Sequence, residues 1–480
     1  MQRVDGLLGA VDQRNQTRLP VVDSWRRGLT KPLHTDNRRA TPEIYLYGAF
    51  PSEASARVGG EPGTEMLELT LKIRASRLPH RRALAPLLAS GLGAVAAVAL
   101  LTPGGHRRSL PSVPAPIPQS SQGTCAASAM LAARSKLGAV LDAALRTTRA
   151  DIHAPAATAA VVVCGRVVWA DAAGVLDLHS RRPATNHSLF ILNSAAKTVV
   201  ATMVMLEIHD GHLSLGTRLS QFYPWLPNAR QISIRMLLNM TSGLPDYLYS
   251  RRIEWMMHHR PRHHWTVDQV LTGLGTGLGT PKFSPGRKYQ YSDTNYIVLG
   301  AILERVTHSS IERAFQQLIA RPLGMTSATF VPTRAARALM AHPYLLSRNG
   351  SLTSEWIPGF GVSTAVWGPV FTDGGLASSS LDLARFGNAL LGGGLVTATA
   401  LRQMTHIGRG DYGFGMRDRS FGGHLWLGHR GYFGGFEAED WSDPSRQLTI
   451  AVATNLQTAE GGPTSTRIWT AVARAYDGFK

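Results

Sequence analysis

Cysteine and lysine are scarce in this chain. Two cysteines, Cys125 and Cys164, stand in 480 residues. Two are too few for a disulfide framework or a cysteine-built zinc site. A single bridge between them, which requires a location outside the cytosol, and a pair of unpaired thiols are both compatible with the sequence. There are seven lysines, so arginine supplies nearly all of the 50 basic residues. Acidic residues are also in deficit. Thirty-two Asp and Glu leave a net charge of +18. That surplus is spread along the chain: residues 1–110 hold 16 basic and 9 acidic side chains, and the remainder hold 34 and 23. No stripe of Lys and Arg with interleaved aromatics marks a nucleic-acid face, so no nucleic-acid partner is expected.

Two further absences narrow the chemistry. The Gly-rich string 273–279 lacks the closing Gly-Lys-Ser/Thr of a phosphate-binding loop. The histidines His258, His259, His263 and His264 lack an acidic neighbour at ligand spacing, and Arg260 and Arg262 stand among them. They read as a surface loop before a helix capped by Thr266. Neither a metal nor a cofactor is expected.

The chain contains enough apolar residues, 44% in all with 8% aromatics, to bury a sizeable core. Residues 1–82 show no sustained period and end in a basic patch, Arg74, Arg77, Arg81 and Arg82. They read as a poorly ordered N-terminal region. An uncharged run follows over 83–103. At 1.5 Å per residue it is about 30 Å long as a helix, enough to cross a bilayer. Three readings are open: a single membrane anchor with the N-terminus in the cytoplasm, the apolar part of a cleaved signal with Met66 as the start, or a buried helix. The Pro/Ser-rich stretch 104–124 is an extended linker. An anchor or a signal places the remainder, 125–480, outside the cytoplasm.

That remainder opens with an Ala/Leu-rich helical pattern over Ala126–Arg149 and two short strands near 158–164 and 166–171, with Cys164-Gly165 at the turn. A helical middle, about 210–376, follows. Three strands, Leu425–His429, Phe436–Trp441 and Gln447–Asn455, and a helix from Thr464 to Tyr476 close the chain. Strands at both ends predict an α/β (α+β) fold: one antiparallel sheet assembled from both termini, flanked by helices, with a mostly helical insertion.

Three short strings carry candidate chemistry. In Ser194-Ala195-Ala196-Lys197 the serine and the lysine share one helix face, because residues three apart do. Serine needs a neighbour to take its proton. A lysine must be desolvated toward its neutral form to do so, and Leu192, Ala195, Ala196, Val199 and Val200 are small or apolar. In Tyr291-Ser292-Asp293 a phenol on a loop can relay a proton if a lysine ammonium lowers its pKa. In His429-Arg430-Gly431 a strand edge with small residues admits a substrate, and the N–H of Tyr432 can join that of Ser194 in an oxyanion hole.

These strings, in this order, resemble the penicillin-recognising serine hydrolases: class C β-lactamases, D-alanyl-D-alanine carboxypeptidases and related esterases. Asp210–Leu215, Arg235–Pro245, Gly374–Ser378 and Tyr412–Met416 share the likeness, which covers about 125–480 and does not touch 1–110. The resemblance implies a β-lactamase/transpeptidase-like fold and hydrolysis of an ester or amide through an acyl-enzyme. Ser194 would be the nucleophile, with Lys197 and Tyr291 sharing the proton. Ser194 and Tyr432 would supply the oxyanion hole, and Asp293, His429 and Gly431 would line the substrate. A small molecule or a peptidoglycan peptide is the implied substrate. Asp293 departs from the family's asparagine, and a carboxylate accepts hydrogen bonds only. It can instead pair with the Lys197 ammonium. A catalytically silent relative that binds cell-wall peptide or a protein partner is the alternative.

Overall fold

Ala156–Val163 reads Ala-Ala-Thr-Ala-Ala-Val-Val-Val, with no charge to place against water. All eight residues are buried. Small and β-branched side chains on both faces let a strand be covered from both sides, and the usual polar alternation then disappears. In the computed structural model this strand (β1) lies inside a six-stranded antiparallel sheet. The structure describes residues 134–479, apart from 276, 331–332, 355, 358–360, 363–367, 369 and 459–463. The expected N-terminal region 1–82, the apolar segment 83–103, the linker 104–124, Cys125 and the start of the first helix lie outside the described residues. Among the described residues no helix is long and apolar enough to cross a membrane.

The sheet adds β2 (Arg166–Gly174), β3 (Arg417–Phe421), β4 (His424–Phe433), β5 (Phe436–Asp443) and β6 (Leu448–Thr454), in the order β2-β1-β6-β5-β4-β3. The two ends of the chain meet where β1 pairs with β6, from Ala157 opposite Thr454 to Val163 opposite Leu448. Cys164 and Gly165, both at positive φ (50° and 74°), make the tight turn between β1 and β2. Cys164 is disulfide-bonded, and the sequence holds one other cysteine.

Helices cover both faces. On one face α1 (Arg134–Asp151) and the last helix, α5 (Thr464–Gly478), pack on Val161, Ile450, Trp426 and Trp441. Trp469 of α5 meets Trp426 edge to face at 4.9 Å. On the other face lie α2 (Ala196–His209), α3 (Thr294–Thr307) and α4 (Ser380–Leu391). Helix α2 is buried on every side from Ala196 to Glu207, as an apolar sequence without a polar stripe requires.

The antiparallel sheet built from both ends is as expected, and so are the closing strands and helix. The middle is less purely helical than expected. Tyr344–Leu346 pairs with Leu456–Thr458 and with Leu352–Ser354. Strands of three residues are too short to print an alternation. Strand β3 was not expected either, because Arg-Asp-Arg-Ser-Phe is a polar edge strand.

Strand β5 buries four carboxyls, Glu437, Glu439, Asp440 and Asp443, and two of them are pushed well up. Burial pushes Glu437 up to about 7, with Arg430 and Ser465 pulling back, and Asp440 up to about 8. Native pKa values above those of the unfolded chain give stability that is full near pH 4 and is lost as pH rises through 7 to 8. Burial lowers His342 to about 4, so its opposing effect ends near pH 6.5. The melting temperature should therefore fall between pH 6.5 and 8.5. In Asp440→Asn that decline should flatten, as scanning calorimetry would show; a parent profile level across this window would contradict the assignment.

Candidate active site

The turn that carries Ser194 is built from strain and a side-chain clamp. Asn193 adopts φ 53°, left-handed for a residue with a Cβ. Its Nδ2 donates to the Phe436 carbonyl of β5 at 3.0 Å. Asn193–Ala195 form a 3-10 turn that runs straight into α2. Ser194 thus sits just ahead of the α-helix rather than inside its first turn, and it is the half-buried residue of an otherwise buried segment. Lys197 lies on the same side, and its Nζ donates to Ser194 Oγ at 3.0 Å.

Lys197 is fully buried. Its Nζ also donates to the Asp373 carbonyl at 2.6 Å and stands 2.6 Å from Asp293 Oδ1. The rings of Tyr291 and Tyr296 flank it at 5.3 and 5.7 Å. Burial alone pushes the ammonium toward its neutral form. Asp293, with Tyr291 and Asp373, more than reverses this, so Lys197 is held protonated. Desolvation was expected to free the lysine as a base. The sequence also allowed Asp293 to pair with the ammonium, and the structure has that pair.

Asp293 closes the loop ahead of α3, and its N–H donates to Asp246 Oδ2 at 3.1 Å. Burial and the nearby Asp293 push Asp246 up to about 7, against the N–H groups of Leu248 and Asp293. Asp373 is also buried and pushed well up, first by burial and then by Asp293. Its Oδ2 accepts from Tyr247 Oη at 2.9 Å. Three carboxyl groups therefore surround one ammonium. The Tyr291 hydroxyl is buried without a hydrogen bond of ordinary geometry. Burial pushes its pKa up, and Lys197 and Ser194 only partly offset this. The sequence allowed the ammonium to lower the phenol's pKa enough for a proton relay; desolvation outweighs the charge, and the phenol stays neutral.

The third wall is β4. Strand β3 pairs with it only as far as Gly428 opposite Arg417. Among the described residues no strand covers that edge beyond His429. Gly431 touches the serine turn: a Cβ there would lie 2.2 Å from the Leu192 carbonyl and 2.5 Å from the Ser194 nitrogen. The two segments offering Ser194 and Tyr432 N–H groups are thus held against each other. His429 is buried, bonded to Tyr412 Oη at 3.2 Å and to the Arg430 carbonyl at 2.7 Å. Burial and the cations Lys197 and Arg417 hold its pKa well down, so it is neutral.

All seven residues singled out in the sequence, Ser194, Lys197, Tyr291, Asp293, His429, Gly431 and Tyr432, stand on these three walls. Sequence reasoning missed Asn193, Asp246, Tyr247, Asp373 and Tyr412. Asp246 and Tyr412 adjoin or belong to segments that carry the family likeness, and that was the available signal. Asp373 likewise adjoins Gly374–Ser378, which carries the likeness. The histidines of 258–264 lie elsewhere, where His259 stacks on Trp255 at 4.7 Å, and Thr266 caps the following helix as expected.

A family model described as Beta-lactamase matches residues 141–474. The chain is similar to esterase EstB of Burkholderia gladioli, 33% identical over 232 residues, 45% of this chain and 55% of that protein. It is similar to penicillin-binding protein 4* of Bacillus subtilis (strain 168), 28% identical over 178 residues, 37% and 38% of the two chains. The matches thus span about half or less of these relatives. Among solved structures, D-amino acid amidase from Ochrobactrum anthropi SV3 complexed with L-phenylalanine amide shares the fold, with a TM-score of 0.60 and 21% identity over 72% of this chain and 99% of that one. The octameric penicillin-binding protein homologue from Pyrococcus abyssi gives 0.58 and 25% over 68% and 74%.

The contact at Gly431 yields a test. In Gly431→Ala the methyl group must push β4 off the serine turn. A displacement near 1 Å costs about 10²-fold in rate. Acylation of Ser194, followed by mass spectrometry, should fall by at least that factor while the far-UV circular dichroism is kept. Unchanged acylation would show that the strand and the turn do not form one site.

Proposed function

The chain belongs to the beta-lactamase family, and from that premise we propose that it is a serine hydrolase that cleaves esters and amides through an acyl-enzyme on Ser194. The observation that carries this reading is the 3.0 Å hydrogen bond from the buried Lys197 Nζ to Oγ of the half-buried Ser194. A buried lysine costs several kcal/mol to desolvate, and here it commits one of its three donors to the serine hydroxyl.

Ser194 Oγ attacks the substrate carbonyl carbon. The new C–O bond forms as the carbonyl electron pair moves onto oxygen, where the N–H groups of Ser194 and Tyr432 stabilise it. Two such donors are worth roughly 3–4 kcal/mol each. The Oγ proton passes to the Lys197–Tyr291 pair and from there to the leaving oxygen or nitrogen as its bond to carbon breaks. Water then attacks the acyl carbon, the same pair takes its proton and returns it to Ser194 Oγ as the acyl C–Oγ bond breaks, and the acid leaves. The resting pair holds one proton too many for this role, since Lys197 is charged and Tyr291 neutral. The reactive form is the deprotonated one.

A carboxypeptidase or β-lactamase must also hold a substrate carboxylate. Here the third wall offers a neutral His429 and the second offers Asp293 beside Lys197. The reading therefore favours esters and small amides over penicillins and C-terminal D-alanine. We also place the domain outside the cytoplasm. The disulfide bond at Cys164 supports this, as does the uncharged run 83–103.

Two outcomes test the proposal. Purified protein should hydrolyse p-nitrophenyl acetate, and Ser194→Ala should lose at least ~10³-fold; turnover that persists in the variant would refute the assignment. With Lys197 and Tyr291 both shifted upward, kcat/KM should keep rising through neutral pH into the alkaline range. In Asp293→Asn the ammonium loses its anion, its pKa drops, and the rising limb should move to lower pH. A rate that peaks near pH 6 and declines before 8 would contradict this.

A further inference from the structure

The C-terminal end of α2 holds a side-chain cluster that the hydrolase reading does not use. Glu207 is the last buried residue of the helix, and Asp210, three residues on, is exposed. Residues three apart share a helix face, so the two carboxyls lie on one side of the last turn. Gly211 then takes φ 79°, a left-handed turn that a Cβ would oppose. That turn brings the chain back on itself. The His212 N–H donates to the Glu207 carbonyl at 3.0 Å, and His212 Nδ1 stands 2.7 Å from Glu207 Oε2. One ligand-type atom from each of Glu207, Asp210 and His212 lies within 4.8 Å of the other two. The Glu207 side chain is only 1% exposed. One of its oxygens meets His212; the other, Oε1, is buried with no hydrogen-bond partner. A buried carboxylate oxygen without a donor is costly, and it marks a place for a water or an ion. Burial pushes the Glu207 carboxyl up, His212 pulls it back and Asp210 pushes it up again. The two carboxyls therefore repel one another. The end of a helix is also its negative pole, which favours a cation.

We propose that Glu207, Asp210 and His212 form a binding site for a zinc-type divalent metal ion. One imidazole and two carboxylates are a donor set that suits Zn²⁺ and leaves a coordination position for water. Glu207 is fixed by burial, and the exposed side chains of Asp210 and His212 can rotate onto an ion that it holds. The ion neutralises the repulsion between the carboxyls and ties the last turn of α2 to the loop that follows. The site stands at the other end of α2 from Lys197, roughly 15 Å along the helix axis, and shares no residue with the three walls around Ser194. Its role is to hold the fold. No metal was expected from the sequence, because only the turn at Gly211 returns His212 to Glu207.

The test uses the whole chain after treatment with a chelator, and the probe is ZnCl₂ alone. Calorimetric titration should show a Zn²⁺ site, and His212→Ala and Asp210→Asn, both at exposed positions, should each weaken it at least about tenfold. Saturating Zn²⁺ should raise the melting temperature of the wild-type chain by several degrees, as a ligand of the native state must, and should leave that of His212→Ala in place. Mg²⁺ prefers an all-oxygen set, so an equal concentration should not displace Zn²⁺. Absence of binding heat, binding that survives both substitutions, as it would on the histidines of 258–264, or displacement by Mg²⁺ would each overturn the proposal. If His212→Ala fails to fold, Asp210→Asn and the wild-type competition with Mg²⁺ decide the matter.

Discussion

The buried ion pair between Lys197 and Asp293 is the constraint on which the site depends. An ammonium with no exposed surface cannot be left alone in an apolar core; the penalty is several kcal/mol per ion. Here a carboxylate at 2.6 Å, a backbone carbonyl at 2.6 Å and the serine hydroxyl at 3.0 Å satisfy its three N–H donors. Each acceptor comes from a different part of the chain: the loop before α3, the turn at Phe371–Gly374 and the turn before α2. The lysine therefore pins three segments to one point. Loss of any one acceptor leaves the charge undercompensated and loosens the other two.

This arrangement explains why α2 must be buried on every side. A helix with one wet face would give Lys197 water and remove the need for Asp293. Thr198, next along, donates to the Gly415 carbonyl at 2.6 Å, which brings the Tyr412–Met416 segment onto the helix. Tyr412 in turn meets His429 of β4. Packing around the lysine thus continues into the strand that faces the substrate, and from there into the sheet. Fold and site share one set of contacts.

Much of this was legible in the sequence, for reasons that differ by element. The sheet could be read because β1 and β6 carry long runs of small and β-branched residues bounded by turns, and such runs survive any tertiary context. Ser194 and Lys197 could be read because a spacing of three is fixed by helix geometry alone. The protonation states could not. They depend on how completely Tyr291 and Lys197 are desolvated and on which carboxyls converge, and burial of that kind is a property of the folded molecule. Asp373 adjoined a segment that carries the family likeness, but its contact with the lysine was invisible for the same reason. It is 176 residues from Lys197, and nothing in the string Thr-Asp-Gly-Gly says that its carbonyl will meet an ammonium.

Asp293 is where local chemistry and global fold disagree, and the disagreement is informative. A carboxylate stabilises the charged lysine, which works against general-base catalysis, while an asparagine would leave the ammonium freer to lose its proton. A chain that retains the costlier residue at the centre of its site has a use for the negative charge. The pair itself supplies one: it compensates a fully buried ammonium at the point where three segments of the chain meet, so the same charge that slows the base holds the site together.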